Sequence, residues 1–235
     1  MERKRIKLTT TEETEGQGRK NRGGKETAKR WLFLFVGLVI MAFGVAFSIK
    51  AGLGTSPISS VPYVLSEALP LTVGNITIIM HCVFILLQII ILRRKYEPIQ
   101  LLQLVVAVAF GYLTDFAVWV LAPLECSGYA MSWVLCLIGI VLVAVGVSFE
   151  VVADVVTLAG EGLVLAICKV APVKFGTMKV TFDVTLVVIA CVLSFILLHG
   201  LYGVREGTIA AAVLVGTISR QINKPLGKIG ERALT

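Results

Sequence analysis

Trp31-Leu-Phe-Leu-Phe-Val-Gly37-Leu-Val-Ile-Met-Ala-Phe-Gly44-Val-Ala-Phe-Ser-Ile-Lys-Ala51 is restated by Trp133-Val-Leu-Cys-Leu-Ile-Gly139-Ile-Val-Leu-Val-Ala-Val-Gly146-Val-Ser-Phe-Glu-Val-Val-Ala153, and this pair of stretches decides the fold. At an offset of 102 residues the Trp, both Gly, Ala42, Val45 and Phe47 all recur. The register continues through Thr55 and Thr157, Pro70 and Pro172, and Gly74 and Gly176; after three inserted residues it matches Gly111 to Gly216. A repeat of this kind sets the architecture before any local feature is read. In a membrane chain it implies two halves with a site between them.

Composition agrees with a membrane reading. The chain is 57% hydrophobic with a mean hydropathy of +0.89, and only 16% charged, where soluble domains carry about 25%. The net charge of +7 is local: the first thirty residues hold ten Lys or Arg and five Glu, and the rest is nearly balanced. A polar segment so poor in apolar residues buries no core and is predicted to be a disordered cytoplasmic tail that orients the first span. That placement argues for the bilayer as partner and against nucleic acid. Because the apolar run after the tail is longer than a signal-peptide core, the tail is read as retained.

Six segments are expected to cross a hydrocarbon core about 30 Å thick, which takes about 20 helical residues. They are Trp31–Ile49, Val73–Leu92, Ile99–Leu121, Met131–Phe149, Thr177–Leu198 and Glu206–Ile222. The organisation that follows is a tail over 1–30, a membrane repeat over 31–122, a second over 131–222 and a cytoplasmic C-terminal tail over 223–235. The five cysteines form no CxxC or Cys/His cluster, so neither a disulfide framework nor a metal site is expected.

Within each half, a different kind of segment separates the first two spans. In the first half it runs Ala51-Gly-Leu-Gly-Thr-Ser-Pro57 and onward to Pro70; in the second it runs from Ala153 to Pro172. Ser56 before Pro57 reads as an N-cap with proline at the first helical position, and Pro70 as a stop. A helix over Pro57–Leu69 would span only about 20 Å, with Pro62 interrupting it. If this element crossed, Arg93-Arg94-Lys95 would lie opposite the basic tail; if it re-enters, the triplet joins the tail. Taking the re-entrant choice leaves only Arg205 on the wrong side. The predicted fold is therefore all-α and polytopic, with six spans plus two re-entrant half-helices in an inverted three-plus-three repeat and both termini cytoplasmic.

Gly52-Leu-Gly-Thr-Ser-Pro57, Gly160-Glu161-Gly162 and Gly203-Val-Arg-Glu-Gly-Thr208, with the paired Gly37/Gly44 helices, resemble the YczE/YyaS-type family of bacterial integral membrane proteins, and more distantly the YitT-type proteins. The resemblance covers roughly Arg30 to Ile222. It implies a bacterial inner-membrane protein and supplies no substrate. The basic tail is not part of the family pattern.

Chemistry is expected at the half-helices and at charges inside apolar runs. A half-helix start leaves backbone N–H groups without partners and concentrates positive potential. Gly52 and Gly54 allow close backbone approach, and Thr55, Ser56 and Ser59 add hydroxyls, which together suit an anionic group. The same groups also serve simple capping and tight packing. In the second half Asp154, Thr157 and Glu161 hold the corresponding places, and Glu150 adds to an acidic cluster that either lines a cavity or sits in the cytoplasmic mouth. His81 and Asp183 are repeat-equivalent. They suit a proton relay, since imidazole titrates near neutrality, while Lys179 and Asp183 at i, i+4 suit an ion pair. Arg205 and Glu206 stand at the start of the last span, either as a gate or because Glu206 favours the helix dipole.

No hydrolase, zinc or phosphate-loop motif is present in the sequence. The leading expectation is a small-solute secondary transporter or permease without cofactor, binding a small polar or zwitterionic solute near the midplane, with homo-oligomers open. A binding or accessory subunit and an intramembrane enzyme are the alternatives.

Overall fold

A computed structural model describes residues 24–234; the basic segment that precedes them lies outside the described residues. The described chain is helical, with no strand among these residues. Helix α1 is Gly24–Ala51, α2 Pro57–Ala68, α3 Val73–Leu92, α4 Leu102–Val120, α5 Tyr129–Ala153, α6 Ala159–Val170, α7 Phe175–Leu198 and α8 Glu206–Leu234. Two 3₁₀ turns, Arg93–Lys95 and Pro98–Leu101, join α3 to α4.

Local chemistry explains the boundaries. Helix α1 starts ahead of Trp31, where Arg30 bonds Glu26 one turn back at 3.0 Å, and it ends against Gly52, whose φ of +66° is left-handed backbone that favours glycine. Pro57 opens α2, but the Ser56 hydroxyl bonds Ser59 Oγ at 3.0 Å and caps no backbone N–H. Pro62 does not break α2. It removes one backbone bond near the helix start, where the ladder is only beginning. Helix α3 is capped by Thr72, which accepts from Asn75 N–H, and Asp115 reaches across from α4 to accept from the Thr72 hydroxyl at 2.6 Å and Gly74 N–H at 2.7 Å. Asp115 is thus a cap shared between helices, and the N-terminal dipole of α3 favours its charge.

Five of these elements are long and apolar enough to cross a membrane: Gly24–Ala51, Val73–Lys95, Pro98–Val120, Tyr129–Ala153 and Phe175–Leu198. Their outward faces carry Leu86, Ile90, Val105, Trp119, Val184 and Ile196 in the open, as a lipid-facing surface requires and a water-facing one of this extent does not. The sixth expected span, Glu206–Ile222, falls within α8, which is not among these five. That helix runs to Leu234, well past Ile222, and takes in Arg220 and Pro225. Helices α2 and α6 have twelve residues each, about 18 Å at the α-helical rise and too short to cross.

The most extensive contact is between α1 and α5, and small residues make it possible. A side-chain carbon added at Gly44 would lie 2.7 Å from Val143 N and 2.8 Å from Gly139 O, and one at Gly146 would lie 2.7 Å from Gly37 O. Gly37 thus faces Gly146 while Gly44 faces Gly139, which makes the two helices antiparallel. Close backbone approach of this kind is how apolar helices associate where lipid removes the hydrophobic drive. Around this crossing α4 packs on α1, and α8 on α5. The short helices reach outward: α2 packs on α7, and α6 on α3.

Candidate functional site

The first crossover, 52–56, is held against the connection from α7 to α8 by three bonds. Thr55 N–H donates to Gly203 O at 3.2 Å and Gly207 N–H to Leu53 O at 2.8 Å. The Arg205 guanidinium donates to Gly52 O at 3.1 Å and to Glu206 Oε1 at 3.3 Å. Gly54 has φ +93°, and a side-chain carbon there would fall onto the Thr208 hydroxyl and 2.7 Å from Arg205 N. Glycine is required both for the backbone angle and for the approach.

This junction borders a partly open cavity of about 270 Å³, lined among others by Ser48, Gly54, Thr55, Tyr63, Tyr202 and Arg205. Backbone, hydroxyl, phenol and guanidinium groups therefore converge on one space. Glu206, bonded to the lining residue Arg205, also accepts from the Tyr129 hydroxyl at 3.3 Å. The position of Arg205, which charge placement alone disfavoured, is explained by its carbonyl and carboxylate partners.

Ser56 and Ser59 are buried but do not line the cavity; their hydroxyls bond each other in the first turn of α2. That turn touches its counterpart, because the Ile58 side chain lies where a side chain at Gly160 would stand. Helices α2 and α6 thus meet through their first turns.

The second crossover is built differently. Asp154 closes α5 in the left-handed region at φ 46° and is exposed, and Thr157 is half-buried. The start of α6 is capped from within: Glu150, 2% exposed, accepts Leu158 N–H at 2.5 Å with Oε1, while its Oε2 has no hydrogen-bond partner. Glu161, in the first turn of α6, lies within electrostatic reach of Glu150 on one side and of Lys179 and Asp183 on the other. Lys179 Nζ bonds Asp183 Oδ1 at 2.7 Å. Gln88 donates to Gln103 Oε1 and to Ala159 O, both at 3.0 Å, and only a glycine at 162 leaves room for this amide pair.

His81 is 1% exposed, with Nδ1 unpartnered and its ring 6.0 Å from Phe84 and 6.4 Å from Phe110. No hydrogen bond joins it to Asp183, whose described partner is Lys179. The expected site residues therefore divide into two groups. Gly52, Gly54 and Thr55 join Arg205 at the cavity, while Asp154, Thr157 and Glu161 lie at the other crossover. Sequence reading did not place Ser48, Tyr63, Tyr202 or the Gln88–Gln103 pair. Two glutamines inside apolar runs were the available signal, since an amide at that depth requires a partner.

A family model described as a family of unknown function (DUF6198) matches residues 28–224. The chain is similar to "Uncharacterized membrane protein YczE" of Bacillus subtilis (strain 168), with 29% identity over 198 residues, 83% of this chain and 86% of that protein. It is also similar to "Uncharacterized protein YyaS" of the same organism, with 29% identity over 120 residues, 51% of this chain and 58% of that protein. No solved structure matches.

Proposed function

The chain belongs to the DUF6198 family of unknown function, and from that premise we propose that it is a small-solute permease of the bacterial inner membrane, working without cofactor and not as an enzyme. The observation that carries this reading is the cavity between the first crossover and the start of α8. Each wall comes from a different half of the chain, so relative movement of the halves would open or close it. Its mixed lining, with one guanidinium, suits a small polar or zwitterionic solute.

The proposed frame is an inverted repeat in which α1 to α4 correspond to α5 to α8, with six spans, α2 and α6 re-entrant and both termini cytoplasmic. What supports it is the exchange of partners: α2 on α7 mirrors α6 on α3, and α4 on α1 mirrors α8 on α5. The antiparallel Gly37/Gly146 and Gly44/Gly139 contacts have the same symmetry. Arg30 also bonds Ala153 O at one end of the α1/α5 pair, while Lys50 bonds Ala122 O at the other.

Topology is checked by cysteine accessibility in a cysteine-free background. Substituted Glu67 should label from outside and substituted Lys169 from inside, and labelling of Glu67 and Lys95 from the same face would sink the re-entrant arrangement. Function is checked by thermal shift of the purified protein across a panel of small polar and zwitterionic metabolites, followed by uptake of the responders into proteoliposomes. At least one solute should both stabilise the protein and accumulate. Stabilisation with no flux would point to a binding subunit, and turnover of a responder in detergent would replace the reading with an enzyme.

A further inference from the structure

Glu150 has no counter-charge bonded to it. Its Oε1 accepts one backbone N–H, its Oε2 accepts nothing, and the residue is closed off from solvent. An ionised carboxylate in such surroundings is strongly disfavoured, whereas the neutral acid keeps the Leu158 bond and carries no net charge. The groups around it do not change this balance. Helix α6 presents Glu161, a like charge, and α7 presents Lys179, already bonded to Asp183. From α1, Arg30 is engaged by Glu26 and by Ala153 O. Helix α8 brings the uncharged Ser219 to Ser148, and the amides of Gln88 and Gln103 are paired with each other at the start of α6.

Glu150 is buried, whereas Glu161, Lys179 and Asp183 are all half-buried, the Lys179 and Asp183 side chains being 28% and 20% exposed. We propose that Glu150 binds an exchangeable proton and passes it outward to Glu161, and from there to solvent beside the Lys179–Asp183 pair. No hydrogen bond joins the two carboxyls, so the transfer runs through a water between them: the Glu150 O–H bond breaks as that water gains a proton, and the water gives one up as an O–H bond forms on the Glu161 carboxylate. The negative charge moves inward to Glu150, and reprotonation reverses it. The proton site rests on this geometry, while its role as the coupling site of transport rests on the permease reading.

Infrared difference spectroscopy on the full-length protein in nanodiscs tests the site without any solute. At neutral pH the wild type should show a carboxylic-acid carbonyl band that shifts on transfer to deuterated buffer. Glu150→Gln, which keeps an acceptor for Leu158 N–H, should lose the band. Glu161→Gln should keep it but slow its deuterium exchange by about tenfold or more, as removal of a positioned proton carrier does. Absence of an acid band at neutral pH, its survival in Glu150→Gln, or unchanged exchange in Glu161→Gln overturns the proposal. The permease reading fails separately: the band and its exchange would behave as expected while no solute accumulates in proteoliposomes under a pH gradient.

Discussion

Gly44→Leu is expected to leave little or no folded protein. The added side chain points at Val143 N and Gly139 O, both under 3 Å from where its first carbon must sit, and backbone of a packed helix cannot rotate aside as a side chain can. Relief requires α1 and α5 to separate, which also parts Gly37 from Gly146 and opens the core formed by Leu38, Met41, Ala42, Val45 and Val143. Overpacking alone costs about 1–3 kcal/mol. Loss of this contact adds to that cost, against a typical total stability of about 5–15 kcal/mol. Size-exclusion profiles and thermal midpoints in mild detergent give the measurement, with Gly139→Leu expected to be as severe. Gly216→Leu is the control, since a side chain there meets nothing within 4 Å. A Gly44→Leu protein that is monodisperse and melts like the wild type would remove the glycine crossing as the basis of the fold.

Arg205→Ala is expected to weaken solute binding by about tenfold or more while leaving the fold in place. The guanidinium lies at the cavity wall and fixes Gly52 O, so its removal deletes the fixed cation of the site and loosens the crossover at once. Losing one hydrogen bond to a charged group corresponds to about tenfold or more in affinity. Arg205→Lys should recover little, because a single ammonium cannot reproduce a planar fork that spans the Gly52 carbonyl and Glu206. The readouts are the ligand-induced thermal shift and uptake, compared with the melting midpoint of the unliganded protein. Wild-type uptake by Arg205→Ala would move the binding site elsewhere.

Much of this fold was legible because its determinants are local. Apolar runs bounded by Pro57, Pro70 and Pro172 pointed to the short helices, and Gly37/Gly44 and Gly139/Gly146 recurred at the same seven-residue spacing in both halves. Boundaries governed by charge were harder to read. Helix α1 reaches back to Gly24 because Glu26 and Arg30 pair on one face, and α8 continues through Pro225. The site was legible in part. Gly52 and Gly54 signalled unusual backbone, yet nothing local says that residues 203–208 come to rest against them. Asp154 and Glu161 held the places of Gly52 and Ser59 in the second half, but Asp154 is exposed at the end of α5. Glu150, one turn earlier, points inward and bonds Leu158. Which acid of such a pair faces the interior depends on how α5 is rotated by its contact with α1, a tertiary quantity.

The exchange of partners between the halves has a consequence for how the chain is made. Helix α2 finds its docking surface on α7, and α3 finds its cover on α6, so when the ribosome has delivered the first four helices, none of those contacts is available. The first half must wait in the bilayer with Gln88 lacking its Ala159 carbonyl partner and with α2 lacking its α7 surface, and it closes only after α7 has been inserted. Closure of the first half then depends on contacts of long sequence separation, which are slow to form and leave the intermediate open to wrong partners. The two halves, translated as separate polypeptides in one cell, should still find each other, and neither should accumulate without the other.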